Sequence, residues 1–427
     1  MLQDRRWSDM RPGRLNPYLL RHAISCPLKL RYMMEGEVRA HPDREGIGGA
    51  GRRSDTGSGV RKTEGETERK PAAGPDVLWR SEVKIMMRRV LSLLYPGGRE
   101  AGKDHGRASA RTKEWLSGSN AIVYGGVAVW GNCSARLPVM IREGDRLTLL
   151  QVHGKLWKYR ERSLTEGIER NRTLLTYARE AAYKKWIVGK LFPGLEMTVR
   201  LCFPNPGFRS GTGNLYGELA FDEARAEDVS SLLIEVEADR AVDRVLQGGG
   251  TEEIHPVFRG KTFSQQMKWI ADRLESASGE MPFVVSDACR TCSFRTGMTD
   301  GDEGCWEKQM ETDYSNPGLH VYDLIGRRSP AESGGSHRFQ EDVPLPEQYG
   351  TFRDIADRSE RTITMQQRRS LQLLSARNNP LPAEWLKKDL VTKIRDLSFP
   401  LHFLDFEAAA SAVPMVSGGR PYSRVLF

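Results

Sequence analysis

The chain has 427 residues, a length that accommodates two or three domains, and its 64 Lys and Arg exceed its 56 Asp and Glu to give a formal charge of +8. This balance mildly favours a polyanionic partner such as nucleic acid, whereas the lack of any apolar run of about 18 residues argues against a membrane-spanning helix. The N-terminus has no apolar signal-peptide core, so we expect a cytoplasmic protein whose six cysteines are thiols or metal ligands rather than disulfides.

The first predicted element is an amphipathic helix over residues 15–34, interrupted at Cys26-Pro27 because proline ends a helix or begins a new one. Residues 35–76 follow and are rich in Gly, Ser, Thr and charge but poor in large apolar side chains. Such a composition cannot bury enough apolar surface to offset chain entropy, which predicts a disordered insertion. A helix over residues 77–94 comes next and ends at a Pro-Gly-Gly stop signal.

Residues 121–155 contain the first β region, in which the apolar runs AIVYGGVAVWG, SARLPVMIR and RLTLLQVH are joined by short turns typical of antiparallel strands. This pattern resembles the core of RecB-like PD-(D/E)XK nucleases. In that family an Asp lies beside an E-x-K on adjoining strands, where the acids hold metal and the Lys helps to activate water. The resemblance places Pro138 at the Asp position, Gln151 at the Glu position and His153 at the Lys position. Because all three depart from the pattern, we expect a degenerate module that has lost its nuclease chemistry.

The alternative is that the strands are wrongly aligned and that no nuclease site was ever present. His153 alone could ligate a metal or act as a base, although a lone histidine is more often structural. The helix predicted over residues 174–191 adds a further departure, because the corresponding helix of the nuclease family carries a Gln where this chain has Lys184. Lys184 and Lys185 could contact a phosphate backbone, and we weigh that contact against a solvated helix face, which is the more frequent arrangement.

The elements after this helix are predicted from local apolar patterns. Strands are expected over residues 197–207 and 214–221. Helices are expected over residues 230–245, 262–276, 366–374 and 384–397.

A group of cysteines follows, with Cys289 and Cys292 in a C-x2-C arrangement and Cys305 after 12 further residues. Thiolates at this spacing on a tight turn can chelate one metal ion or cluster. RecB-like proteins with iron–sulfur clusters take one cysteine from an N-terminal helix and three from a C-terminal segment, and Cys26-Pro27 resembles the N-terminal motif. The resemblance implies a [4Fe–4S] site formed by Cys26, Cys289, Cys292 and Cys305, with Zn²⁺ as the alternative. The long gap before Cys305 departs from the family pattern, and cysteines without a ligand are the other alternative.

The last predicted strand covers residues 401–407 and carries Asp405 and Glu407. Side chains two apart on a strand point the same way, and two neighbouring carboxylates suit Mg²⁺ or Mn²⁺. The stretch resembles the first strand of RNase H-like exonucleases, whose D-x-E holds metal ions. Together with Pro414 and a Gly-Arg-Pro-Tyr turn at residues 419–422, it resembles the bacterial domain-of-unknown-function family DUF2779, in which long members place a RecB-like module and a cysteine cluster upstream.

The expected fold is therefore α/β, with a RecB-like mixed sheet flanked by helices and a cysteine cluster, followed by the first strand of an RNase H-like domain. The predicted organisation is a helical segment at 1–34, an insertion at 35–76, a degenerate RecB-like module at 77–310, a connector at 311–398 and the start of the exonuclease domain at 399–427. Because the sequence ends 20 residues after Glu407, we expect that domain to be truncated.

The function that we predict from these features is nuclease-related nucleic-acid processing, with DNA as the partner and with Lys184, Lys185 and Arg420 as contacts to it. The chain as it stands is expected to be inactive, and metal-dependent exonuclease chemistry is expected only if the C-terminal domain is complete. The alternatives are a non-catalytic, metal-stabilised nucleic-acid-binding or assembly module, and a plain α/β protein with coincidental motifs.

Overall fold

The computed structural model describes residues 14–40, 75–160, 162–249, 254–275, 281–282, 363–376, 388–398, 400–401 and 408–426, together with residues 289, 292, 294 and 305. The chain divides into two compact units, one formed by Met1–Met281 with Phe406–Phe427 and the other by Pro282–Asp405. The larger unit contains the sheet and the candidate site. In the described part of the chain, no helix is long and apolar enough to cross a membrane.

The larger unit contains helices that precede, separate and follow its strands along the sequence. They are α1 (Pro17–Ser25), α2 (Pro27–Ala40), α3 (Pro75–Leu94), α4 (His105–Trp115), α5 (Leu164–Arg170), α6 (Leu175–Leu191), α7 (Leu215–Ala220), α8 (Ala226–Val229), α9 (Asp239–Leu246) and α10 (Phe263–Glu275). The strands are β1 (Arg99–Glu100), β2 (Asn120–Trp130), β3 (Cys133–Glu143), β4 (Arg146–Val152), β5 (Glu196–Pro204), β6 (Leu233–Glu237), β7 (Ala408–Ala410) and β8 (Arg424–Leu426). The smaller unit contributes α11 (Met365–Ala376) and α12 (Lys388–Arg395).

Among the described residues, β1 to β6 form one mixed sheet in sequence order, so the fold is α/β with a six-stranded mixed sheet flanked by helices. Strands β2, β3 and β4 form an antiparallel meander whose two-residue turns begin at Gly131 and Gly144. Both glycines have positive φ, a conformation that tight hairpin turns favour. Helix α6 then crosses over the sheet to β5, which pairs with β4 in parallel, and β6 closes this edge in an antiparallel pair.

Helix α6 packs closely on the sheet because its inner face is built from small residues. Ala178, Ala181 and Ala182 are fully buried and let the helix approach the strands. Tyr183 is equally buried, and its hydroxyl donates a hydrogen bond to the carbonyl of Leu15. Leu15 in turn exchanges backbone hydrogen bonds with the β2–β3 turn region, so α6 ties the N-terminal segment to the sheet.

Several sequence predictions are confirmed. The N-terminal helix breaks at Cys26 as expected, with Pro27 beginning α2. Helices α3, α6, α10 and α11, the three-stranded β region and β5 also lie where they were predicted. Helix α12 begins at Lys388, within the predicted helix over residues 384–397. Residues 41–74, most of the predicted insertion, lie outside the described residues.

The strand predicted over residues 214–221 is wrong, because this stretch forms α7. The Asn214 side chain caps the helix by accepting a hydrogen bond from the Gly217 backbone N–H at 3.0 Å. Leu215 and Leu219 are both buried. They lie four residues apart, which is the spacing of one helix face rather than of a strand.

The single helix predicted over residues 230–245 is also wrong, because β6 occupies its first half and α9 its second. Residues 233–237 form a strand because they pair with the edge of β5, where Val236 lies opposite Leu201. Asp239, the first residue of α9, accepts a hydrogen bond from the Val199 backbone N–H at 3.0 Å, which holds the strand-to-helix junction on β5.

The C-terminal residues belong to the larger unit, whereas the predicted organisation placed residues 399–427 in a separate domain. Strands β7 and β8 pair in an antiparallel hairpin, with Ala409 opposite Val425. The loop between them packs into the core beside α3 and α7. Residues 402–407, which contain most of the predicted D-x-E strand, lie outside the described residues.

Candidate functional site

The structure brings the predicted nuclease positions together on adjoining strands. The β3–β4 ladder ends at the pair Val139 and Leu150, and the next residue on each strand is Pro138 on β3 and Gln151 on β4. Pro138 has no backbone N–H to continue the ladder. Gln151 pairs instead with Leu201 of β5 on its other side. Pro138 and Gln151 are therefore neighbours on adjoining strands of the mixed sheet.

Gln151 is 1% exposed and is held by a charged partner from α6. The Lys184 ammonium donates a hydrogen bond to Gln151 Oε1 at 2.9 Å and another to Glu180 Oε1 at 2.7 Å. Lys184 is itself 5% exposed, and Arg21 of α1 approaches Glu180 at 3.6 Å. The Lys184 ammonium therefore joins α6 to the centre of the sheet through Gln151, while its ion pair with Glu180 lies within α6.

The same contacts control the charge of Glu180. Burial by itself raises the pKa of this carboxyl group, but the Lys184 ammonium, with smaller contributions from His153 and Arg21, outweighs burial and lowers the pKa of Glu180 to about 2. Glu180 is therefore a carboxylate at neutral pH, and Lys184 neutralises its charge.

His153 follows β4 and lies within an aromatic cluster. Its ring centroid is 4.1 Å from that of Tyr177 and 5.3 Å from that of Phe203, and its backbone N–H donates to the Cys202 carbonyl at 2.9 Å. Burial lowers the pKa of His153 to about 4, and this effect outweighs the nearby Glu180 carboxylate. The imidazole is therefore uncharged at neutral pH.

Two polar atoms of the cluster are buried without a hydrogen-bond partner in the described part of the structure. They are Nε2 of Gln151 and Nε2 of His153. A buried polar atom that lacks a partner costs about 1–3 kcal/mol. The site is thus polar and incompletely paired, in contrast to the apolar layers around it.

Three features of the residues at this site oppose the binding of a divalent cation. Pro138 offers no ligand, the Gln151 oxygen accepts from an ammonium group, and the nearby carboxylate is already paired with Lys184. A divalent cation placed here would meet the positive charges of Lys184 and Arg21. Consistently, the described residues contain no group of three or more His, Cys, Asp or Glu side chains that could hold a metal ion.

A solvated helix face was the alternative for Lys184 and Lys185. It is wrong for Lys184, which is buried in the pair with Glu180, and the predicted contact of Lys184 with nucleic acid stays a prediction. Lys185 is bound to Asp243 at 2.8 Å and to Asp239 at 3.4 Å. Arg420, the third predicted nucleic-acid contact, is exposed in the loop between β7 and β8.

None of the six cysteines is in a disulfide, as expected. Cys26 lies at the end of α1, where its backbone N–H donates to the His22 carbonyl at 2.9 Å. In the smaller unit, the Cys292 N–H donates to the Cys289 carbonyl at 3.2 Å, and the Cys305 N–H donates to the Phe294 carbonyl at 2.7 Å. The chain therefore returns at Cys305 to a point two residues beyond the C-x2-C turn. The four-cysteine site itself stays a prediction.

Asp405 and Glu407 lie outside the described residues, so their predicted metal site stays a prediction as well.

Sequence reasoning missed Glu180 and Tyr177 as members of the buried cluster. The spacing of Glu180 and Lys184, four residues apart on a predicted helix, was the available signal for an ion pair. No local signal pointed to Tyr177, because its contact with His153 joins α6 to the end of β4.

The fold and the site together define an α/β protein with a buried, neutralised polar cluster at the centre of a mixed sheet. Comparisons of the chain with models of known protein families, with curated protein sequences and with solved structures find no match in any of the three.

Proposed function

We propose that this chain is a nuclease-related nucleic-acid-processing protein whose RecB-like module no longer cleaves. The observation that carries the proposal is the Lys184 ammonium bound to Gln151 and Glu180 beside Pro138, on adjoining strands of the mixed sheet. A cation of the chain itself beside Gln151 and Glu180 supports the loss of metal binding at these positions.

The chemistry of the replaced residues supports the loss of cleavage. Hydrolysis of a phosphodiester by this type of site needs carboxylates that hold a metal and a polar group that activates water. Here a proline and a neutral amide replace the acids. His153 is enclosed by Tyr177 and Phe203 rather than placed toward solvent.

Other parts of the chain carry the remaining elements of the proposal. Metal-dependent exonuclease chemistry, with Mg²⁺ or Mn²⁺ at Asp405 and Glu407, belongs to a complete RNase H-like domain. The formal charge of +8 and the exposed Arg420 support DNA as the partner. Cytoplasmic localisation belongs to the same proposal.

The second candidate is a non-catalytic, metal-stabilised module that binds nucleic acid or assembles with other proteins. The spacing of Cys289, Cys292 and Cys305 supports it, because three thiols from one short segment are the larger part of a four-thiolate site, and the Cys305 N–H donates to the Phe294 carbonyl near the C-x2-C turn. A [4Fe–4S] cluster or Zn²⁺, completed by Cys26, would then stabilise the fold.

A digestion assay on single-stranded and double-stranded DNA with Mg²⁺ or Mn²⁺ tests the proposal. We expect the full chain to bind DNA at low salt and not to cleave it. Cleavage that is lost in Gln151→Ala or His153→Ala would contradict the loss of nuclease chemistry. Cleavage that is lost only in Asp405→Asn would instead assign activity to the C-terminal segment. If the chain does not bind DNA at any salt concentration, DNA is not its partner.

A further inference from the structure

Residues 411–422, the loop between β7 and β8, lie across the larger unit beside the buried polar cluster. Ala412 and Val413 are fully buried in an apolar cluster with side chains of α3 and α7, among them Met87 and Leu215. The loop is therefore seated in a groove between these two helices, far along the chain from either of them.

Backbone hydrogen bonds fasten one side of this loop to the segment after β5. The Gly418 N–H donates to the Ser210 carbonyl at 2.8 Å, and the Ser210 N–H donates to the Gly419 carbonyl at 3.0 Å. Nearby, the Tyr216 N–H donates to the Pro414 carbonyl at 3.1 Å. These contacts resemble a short strand pairing and need no specific side chain.

Tyr422 fastens the other side at the polar cluster. Its hydroxyl donates a hydrogen bond to the carbonyl of Gly154, the residue that follows His153. Burial, together with the nearby Tyr177, raises the pKa of Tyr422 to about 12, so the hydroxyl keeps its proton. Tyr177 in turn lies against the His153 ring. Tyr422 adopts a positive φ of 63°, a strained conformation for a bulky residue that the surrounding contacts maintain.

We propose that residues 411–422 form a movable cover that closes the edge of the His153 site and opens without unfolding of the sheet. Three backbone hydrogen bonds and the Tyr422 hydroxyl are the main polar contacts between the loop and the rest of the unit, whereas β2 and β3 pair along nearly all of their 11 residues. Segments with few buried apolar contacts open locally well before the core does. Opening exposes the methionine-lined groove of α3 and the edge of the cluster at His153. The cover does not depend on nuclease ancestry.

Amide hydrogen exchange on the full-length chain tests the cover, with Tyr422→Phe as the variant. This change removes the hydroxyl and keeps the ring. In the wild type we expect residues 411–422 to exchange at least about tenfold faster than β2 to β4, as a locally opening segment does. In Tyr422→Phe we expect a further increase of up to about tenfold in residues 411–422 alone, the effect of losing one hydrogen bond.

Tyr95→Phe is the matched control, because Tyr95 is also half-buried in this unit and loses a comparable hydroxyl contact, to Glu235. It should leave exchange in residues 411–422 unchanged. A second variant, Gly154→Ala, approaches the contact from the other side, since an added Cβ would lie 3.2 Å from the Tyr422 hydroxyl. It should accelerate exchange in the same residues.

Chemical modification of His153 by diethylpyrocarbonate, located by mass spectrometry, reports whether the loop covers the site. We expect the modification rate to rise with the exchange rate in both cover variants. If the amides of residues 411–422 exchange at the same rate as those of β2 to β4, the loop is part of the core and the proposal is overturned. The proposal is also overturned if the variants exchange faster in residues 411–422 but the rate of His153 modification does not change.

Discussion

The charge of Lys184 is the residue-scale feature on which the site depends. Its ammonium is buried, with Gln151 on the sheet and Glu180 on its own helix as partners. A buried ion pair adds little net stability when it is intact, but removing one member leaves the other charge without compensation. The ion pair lies within α6, and the hydrogen bond from the same ammonium to Gln151 holds α6 on β4.

Lys184→Met should therefore destabilise the larger unit by about 3 kcal/mol, at the lower end of the range for broken buried pairs because Arg21 also faces Glu180. Urea unfolding followed by circular dichroism measures the change. Lys185→Met is the matched control, since its partner Asp243 is half-exposed, and it should cost about 1 kcal/mol or less. Equal losses in the two variants would contradict the buried pair.

The pH dependence of stability follows from His153. Its pKa is 6.5 unfolded and about 4 folded, so the unfolded state binds more protons at acid pH. The contribution to stability is fully present above pH 6.5 and is lost as the pH falls toward 4. It amounts to about 3 kcal/mol at 1.36 kcal/mol per unit. Glu180, with a folded pKa of about 2, adds a further loss only below pH 4.5.

Urea unfolding at pH 7 and pH 4.5 measures this effect, with His153→Leu as the comparison. We expect the wild type to lose more stability than the variant over this interval, by about 2 kcal/mol, since the rest of the loss comes below pH 4.5. The difference between the two proteins isolates His153 from His22 and His255, whose pKa values burial also lowers. Identical losses would mean that His153 is not buried in the folded state.

At the scale of elements, local patterns predicted most helices and the β meander because each carries its own signal. Helix α6 has a periodic buried face, and the strands of the meander alternate with tight glycine turns. The errors fell where an element is short or depends on a distant partner. Helix α7 has only six residues, and β6 is a strand because β5 offers it an edge.

The cap of α7 offers a test at this scale. Asn214→Ala removes the acceptor of the Gly217 N–H and should cost about 1 kcal/mol in urea unfolding. Asn214→Asp keeps an acceptor and should cost clearly less. Losses of the same size in both variants would show that the cap is not what makes this stretch a helix.

At the scale of the whole molecule, the chain forms two compact units, and the larger one joins residues from both ends of the sequence. The four predicted cysteine ligands are divided between the units, with Cys26 in the larger and the others in the smaller. If the four-cysteine site forms, we expect removal of its metal to destabilise the fold.

Iron and zinc analysis of the purified full chain, with its visible absorption spectrum, tests the cysteine site. We expect about one metal site per chain, and loss of most of the metal when Cys289 and Cys292 are both replaced by Ser. Cys133→Ala and Cys202→Ala are matched controls, because both thiols are buried in the sheet, and they should retain it. Full metal content in the double variant would contradict the cysteine site.

The sequence by itself determined the α/β class and the positions of most helices and strands. These properties depend on residues that are close together in the chain, where turn chemistry and periodicity operate. Only the tertiary structure decided that Lys184 is buried rather than solvated, that Tyr177 and Phe203 enclose His153, and that residues 411–422 belong to the larger unit. Each of those outcomes depends on groups that are distant in sequence, whose charge and burial are set by the surface on which they pack.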